Sequence, residues 1–156
     1  MIRLIDTTLL GELNAEAAAS PRRRRNHNFH SADDHPAHRL LNAIEPGSYV
    51  APHRHLETAK DETMLVLKGR LGLVIFDDGG GVVQTVVLAA TGDVRGVDIP
   101  HDTWHSLVAL ETGTVFFETK AGPYRALTVE ERAPWAPAEN DGAAAKYLRQ
   151  LEQHFC

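Results

Sequence analysis

A chain of 156 residues has room for one domain with a core of its own, burying roughly two thirds of the surface its unfolded form exposes, and not for a second full domain. Its 16 basic and 21 acidic residues leave a net charge of −5, which excludes a general polyanion binder and leaves nucleic acid out of the expected partners. Cys156 is the one cysteine, so an intramolecular disulfide is excluded, and no apolar stretch has the length of a signal peptide or a membrane span; a cytoplasmic protein is expected.

In chain order, Leu9, Leu10, Leu13 and Ala17 fall at helical spacing behind the cap-like Asp6-Thr7-Thr8, which predicts a short amphipathic helix over 7–19, ended by Ser20-Pro21. Arg22-Arg23-Arg24-Arg25 and the polar stretch to residue 38 show no apolar period and read as a basic arm: a solvated run, or an anion clamp of guanidinium forks. From Arg39 the texture changes to short apolar runs, Leu40–Ile44, Thr63–Leu67, Leu71–Phe76, Val82–Leu88, Val97–Ile99, Ser106–Leu110 and Val115–Thr119, each bounded by turn residues. Runs this short and this regularly punctuated predict an all-β antiparallel sandwich or barrel, with 39–124 as its body. Beyond residue 124, Ala133-Pro134-Trp135-Ala136-Pro137 suits a segment laid on the barrel surface, and Ala144, Tyr147, Leu148, Leu151 and Phe155 form the stripe of a terminal helix. Residues 1–156 are read as a single domain.

The chemistry-bearing residues lie between these runs. His53 and His55 flank Arg54, and on an extended segment alternate side chains share a face, so both imidazoles can reach one ion while Arg54 points elsewhere. Glu62 opens the next apolar run and His105 follows the turn Pro100-His101-Asp102-Thr103-Trp104. Three imidazoles and a carboxylate suit one divalent transition metal, Fe, Mn, Ni, Co or Zn, better than Mg or Ca. Glu62 is then either a ligand and the acid–base group, or a carboxylate that orients a histidine. Of the remaining histidines, His27, His30, His35, His38 and His154 read as polar surface, and His101 is set apart by sharing the turn with His105. Arg54, Lys60, Arg39 and Lys120 are the candidates for an anionic substrate. Tyr49, Trp104, Tyr124 and Trp135 are either core aromatics or stacking surfaces for a ligand.

Gly47, His53-Arg54-His55, Glu62 and Gly69 resemble the first motif of the cupin superfamily, with a wider gap between His55 and Glu62 than the family usually has. Pro100, Asp102 and His105 resemble the second, with Asp102 where glycine is usual and Ala109 where asparagine is frequent. Asp tolerates a left-handed turn better than most residues, so that exchange is mild. More of the chain is similar to the WbuC-type cupin-fold metalloproteins: Arg25 to His30, Leu41-Asn42-Ala43, Ser48 to His55, Ile99 to His105, Glu118 to Tyr124 and Ala133 to Pro137, covering most of residues 22–138. The resemblance implies a cupin jelly-roll β-barrel with a metal inside, a short helix at each end, and an association with bacterial surface-polysaccharide or sugar metabolism.

Three readings of function follow. One is a metal-dependent small-molecule enzyme, with His53, His55 and His105 holding the ion and Glu62 acting beside them; oxygenase, isomerase and hydrolase stay open. Another is a non-catalytic cupin that binds a sugar or metabolite. The third is a metal-free sugar epimerase in which a histidine is the base and Tyr49 or Tyr124 the acid. Exposed apolar edges of small barrels are commonly covered by a second subunit, so a homodimer is expected, with no membrane partner.

Overall fold

Two antiparallel sheets face one another in the computed structural model, which describes residues 1–156. One sheet carries, in spatial order, β1 (Arg24–Asn28), β2 (Ala37–Ile44), β8 (Thr114–Ala121), β3 (Glu62–Lys68) and β6 (Gly96–Ile99). The other carries β5 (Val82–Ala89), β4 (Arg70–Phe76) and β7 (His105–Ala109). This is the expected all-β jelly roll, with a helix at either end: α1 (Thr7–Ala19) and α2 (Ala144–Glu152), the latter running into a 3₁₀ turn at Gln153–Phe155.

The Asp6 carboxylate accepts from the Leu9 amide at 2.9 Å and starts α1; Ser20, held extended by the proline behind it, ends it. Leu13 and Ala17 then bury against Leu41, Ala43 and Val115 on the outer face of the larger sheet. The outer face of the smaller sheet, Val74, Phe76 and Val108, is covered by Leu148 and Leu151 of α2 and by Ala133 and Trp135 of the proline-rich segment. Tyr49 anchors that segment by donating its hydroxyl to the Pro137 carbonyl at 2.8 Å.

Between the sheets, strand alternation sorts the side chains into two zones. Ile44, Met64, Val66, Leu71, Leu73, Leu107 and Phe116 form a dry core. Continuing the same inward faces toward one end of the barrel gives Asn42 on β2, Glu62 on β3, His105 on β7, and Glu118 and Lys120 on β8. One face of the barrel interior is therefore apolar at one end and charged at the other, by continuation of the same period.

Two expectations change. The polar arm contains β1, paired with β2 from Arg24 opposite Ile44 to Asn28 opposite Leu40. It shows no apolar period because its inward residues, Arg24 and Asn26, face a cavity rather than the core. The His53-Arg54-His55 segment, conversely, is not a ladder strand: His53 makes isolated bridges to His105 and Arg132 only. Those two attachments keep the backbone extended enough for the alternation to hold.

Candidate metal centre

His53 and His105 face each other across their own bridge, with backbone hydrogen bonds in both directions at 3.0 and 3.1 Å and ring centroids 4.5 Å apart. His53 Nδ1 lies 3.0 Å from the Ala51 carbonyl, and His105 Nδ1 lies 2.8 Å from the Thr103 carbonyl. A carbonyl can only accept, so each neutral ring carries its proton on Nδ1 and presents an Nε2 lone pair to the interior. Burial, then the neighbouring His105, pushes the His53 imidazole down to about 3, which keeps that lone pair free at neutral pH.

Glu62 sits between the histidines. Its Oε1 is 3.1 Å from His55 Nε2 and 2.6 Å from the Lys120 ammonium; its Oε2 is 3.0 Å from His105 Nε2. Glu62 Oε2 and His105 Nε2 are both buried and neither has a hydrogen-bond partner. Two lone-pair-bearing atoms at that separation repel unless a cation stands between or beside them. The donor atoms of His53, His55 and Glu62 lie within 4.8 Å of one another and form a group that could hold a metal ion, with His105 against the second carboxylate oxygen. Nitrogen and carboxylate donors, two of the imidazoles oriented by backbone carbonyls, fit a divalent first-row ion. Burial works against the charge on Glu62, but donation from His105 and His55 whenever those rings carry a proton on Nε2, together with the Lys120 ammonium, holds its carboxyl well below the usual range.

The wide spacing between His55 and Glu62 is taken up by a turn. The Lys60 amide bonds to the Glu57 carbonyl at 2.9 Å, and the buried Lys60 ammonium is held by the carbonyls of Ala121 and Pro123. The extra residues loop outward and Glu62 still arrives beside His55. Asp102 stands in the left-handed region at φ 60°, donates its amide to the His55 carbonyl, and holds Arg54 at 2.9 Å through its carboxylate.

Two cavities open on several donors of the cluster, and a third, of about 300 Å³, meets only its His53. One, of about 310 Å³, is lined by His53, Glu62, His105, Glu118, Lys120 and Tyr124 among others. Its neighbour, of about 330 Å³, shares His53, Lys120 and Tyr124 and adds His55, Lys60 and Arg125. A larger hollow of about 500 Å³ between Tyr49, Glu139 and α2 contains none of the donors.

Of the candidate substrate residues, Lys60, Lys120 and Tyr124 border these cavities and the others lie elsewhere. Arg54 stacks over Trp104, 4.3 Å from the ring centroid, while Trp104 donates its indole N–H to Asp78; both brace the loop behind the histidines. Tyr49 is buried under the terminal segment, and Arg39 is exposed on β2. The arginine run is neither free nor merely solvated: Arg22 and Arg24 both reach Glu139, Arg23 reaches the Pro46 carbonyl, and Arg25 reaches Glu16. His30 and His38, expected on the surface, are buried and stacked with centroids 4.0 Å apart, His30 Nδ1 against the Arg39 backbone and His38 Nε2 bonded to the Asp33 carbonyl. His101 bonds to Asp61 at 2.8 Å. Residue patterns missed Asn42 and Glu118. Glu118 was legible as a charge two residues before Lys120 in an otherwise apolar run, the spacing that puts both on one face of a strand.

A family described as a domain of unknown function (DUF6016) matches residues 5–88, just over half of the chain. The chain belongs to that family. The matched region of the DUF6016 family holds His53, His55 and Glu62 and ends before His105 and Lys120. No curated protein matches. Among solved structures, SPY1581 from Streptococcus pyogenes, a conserved protein of unknown function, is similar over 80% of this chain and 91% of its own, at 12% identity and TM-score 0.53. KdgF from Halomonas sp. is similar over 68% and 84%, at 19% identity and TM-score 0.51. A cupin-2 domain containing protein from Shewanella frigidimarina covers 63% and 80%, at 20% identity and TM-score 0.47. At these identities the likeness to SPY1581 and KdgF is one of fold, and this DUF6016 chain carries a His/Glu cluster at the charged end of its barrel.

Proposed function

We propose that this protein is a metal-dependent small-molecule enzyme whose ion is held by His53, His55, His105 and Glu62. The observation that carries the reading is the pair of partnerless buried atoms, Glu62 Oε2 and His105 Nε2, 3.0 Å apart beside an unprotonated His53 Nε2. A divalent Fe, Mn, Ni, Co or Zn ion bound there supplies Lewis-acid polarisation or, with iron, redox chemistry. The chain's own part is to hold two rings in one tautomer, to keep Glu62 ionised as ligand or proton acceptor, and to present Lys120 and Tyr124 to whatever enters the adjoining cavities.

The substrate class is a small anion, with a saccharide or sugar-derived acid as the preferred reading. The Lys60 ammonium, met by backbone carbonyls and by no carboxylate, borders the cavity that contains His55, which supports the charge. The saccharide part rests on the likeness to WbuC-type proteins and is an association. Elemental analysis of untagged protein beside His105→Ala tests the metal: a stoichiometric ion in the wild type, lost in the variant, is expected. Its absence after anaerobic reconstitution with Fe, Mn, Ni and Zn would sink the reading.

One observation favours a metal-free alternative. The Lys120 ammonium already lies 2.6 Å from Glu62, so the carboxylate has a cation without any ion. In that epimerase reading a site histidine is the base and Tyr124, the tyrosine that borders the site, the acid. Solvent-proton exchange into a panel of uronates that survives chelation would favour it over the metal enzyme.

The proposed partner is a second copy. Leu65 and Leu67 are exposed on the outer face of β3, next to Phe117 at the rim of α1, and Ile2, Leu4 and Ile5 are exposed ahead of that helix. A dimer across this face would cover both.

A further inference from the structure

Lys120 is unusually placed for a lysine. Its ammonium lies 2.6 Å from Glu62 Oε1, 3.4 Å from Glu118 Oε1 and 3.4 Å from His55 Nε2, in a side chain only 20% exposed. Both carboxylates are more enclosed than the ammonium they share, at 4% and 12%. Register accounts for this: Met64 pairs with Glu118 and Thr63 with Thr119, which brings Glu62 alongside Lys120. Glu118 and Lys120 are two residues apart on β8 and share its inward face. Across the next strand pair, Asn42 donates its amide to Glu118 Oε2 at 2.9 Å, which fixes the carboxylate with Oε1 turned toward the ammonium.

The ammonium therefore has two acceptors of unequal hold: Glu62 close, Glu118 farther and already oriented. We propose that Lys120 is the resident cation of the site, competing with the divalent ion for Glu62, and that Glu118 is a positioning residue that takes the ammonium over when the ion claims Glu62. The inference rests on the metal reading above. Two like charges cannot share the Glu62 carboxylate at hydrogen-bond range without strong repulsion in so enclosed a place. A short swing of the lysine toward Glu118 relieves it without exposing either carboxylate. Lys120 thus weakens the resting site for metal, and Glu118 limits that loss.

Competition titrations of untagged apo protein with Zn2+ against a chromophoric chelator at fixed pH test this without any substrate. Lys120→Met is expected to bind zinc about tenfold tighter, and Glu118→Gln about tenfold weaker, effects of the size seen for groups that adjust metal ligands from outside. The decisive measurement is the double variant. If Glu118 acts through Lys120, Glu118→Gln changes zinc affinity less than about twofold once residue 120 is methionine. An undiminished loss in that background would show Glu118 to be a simple added negative charge and overturn the handover. Zinc binding in Lys120→Met no tighter than in the wild type would overturn the competition. Lys120→Gln, which keeps a polar group, repeats the comparison if circular dichroism shows the methionine variant misfolded. Failure of the wild type to bind any of Fe, Mn, Ni or Zn under anaerobic conditions would instead remove the metal reading and this inference with it.

Discussion

Glu62 serves three neighbours with two oxygens, and its charge is what draws them together. Replacing it with glutamine keeps the volume and leaves a hydrogen-bonding group, but removes the charge that attracts a cation and holds Lys120. Glu62→Gln is expected to keep its fold, lose bound metal at least tenfold, and lose turnover; metal content and near-ultraviolet circular dichroism separate these effects. Asp102 shows a second residue-scale demand. At φ 60° with its carboxylate on Arg54, it combines a backbone state that glycine adopts readily with a contact glycine lacks. Asp102→Ala loses both and is expected to destabilise by about 1–2 kcal/mol, more than Asp102→Gly, which loses only the contact. Chemical denaturation of the two variants gives the order.

Among the elements, β1 is held at its start by charge rather than by an apolar face. Arg22 and Arg24 clamp Glu139, 2.6 and 2.7 Å away, and so join the start of the barrel to the segment that leads into α2. The Arg22 hydrogen bond, assisted by Arg24 and opposed by partial burial, holds the Glu139 carboxyl below its usual range. A group whose folded pKa is depressed stabilises the fold above its unfolded pKa and loses that contribution as pH falls through the folded value. Melting temperature should therefore fall on acidification below about pH 4.5, and Glu139→Gln should lower it at neutral pH by about 2–4 °C while flattening this part of the acid limb. The turn between β3 and β4 makes a steric demand instead. Gly69 has φ 76°, and a Cβ there would lie 2.9 Å from Thr114 Cα. Gly69→Ala is expected to cost about 2 kcal/mol, read as a shifted denaturation midpoint at unchanged slope.

For the whole molecule, the two helices cover unequal shares of the barrel. Helix α2 and the proline-rich segment close the outside of the smaller sheet, whereas α1 leaves Leu65 and Leu67 of the larger one exposed. A dimer across this surface should be visible as twice the monomer mass in light scattering, and Leu65→Lys with Leu67→Glu should return it to monomer without lowering metal content. An unchanged mass in that double variant would place the interface elsewhere. No helix is long and apolar enough to cross a membrane.

Much of this architecture is a direct consequence of local pattern. Period and punctuation located α1, seven of the eight strands and α2, because each buries an apolar stripe or face whose spacing is fixed by its own geometry. The types and order of His53, His55, Glu62 and His105 likewise pointed to one cluster. What local pattern did not carry was anything decided by a cavity or by pairing between distant strands. β1 escaped because a strand that faces water has no apolar period, and the arginine run was unreadable because Glu139 lies more than a hundred residues away. That Arg54 lies over Trp104 and reaches Asp102, while Trp104 reaches Asp78, is likewise a contact between distant segments that no local pattern displays. The position of Lys120 between two carboxylates was decided by the register of β3 and β8 and the hold of Asn42 on Glu118, relations that exist only once the sheets have closed.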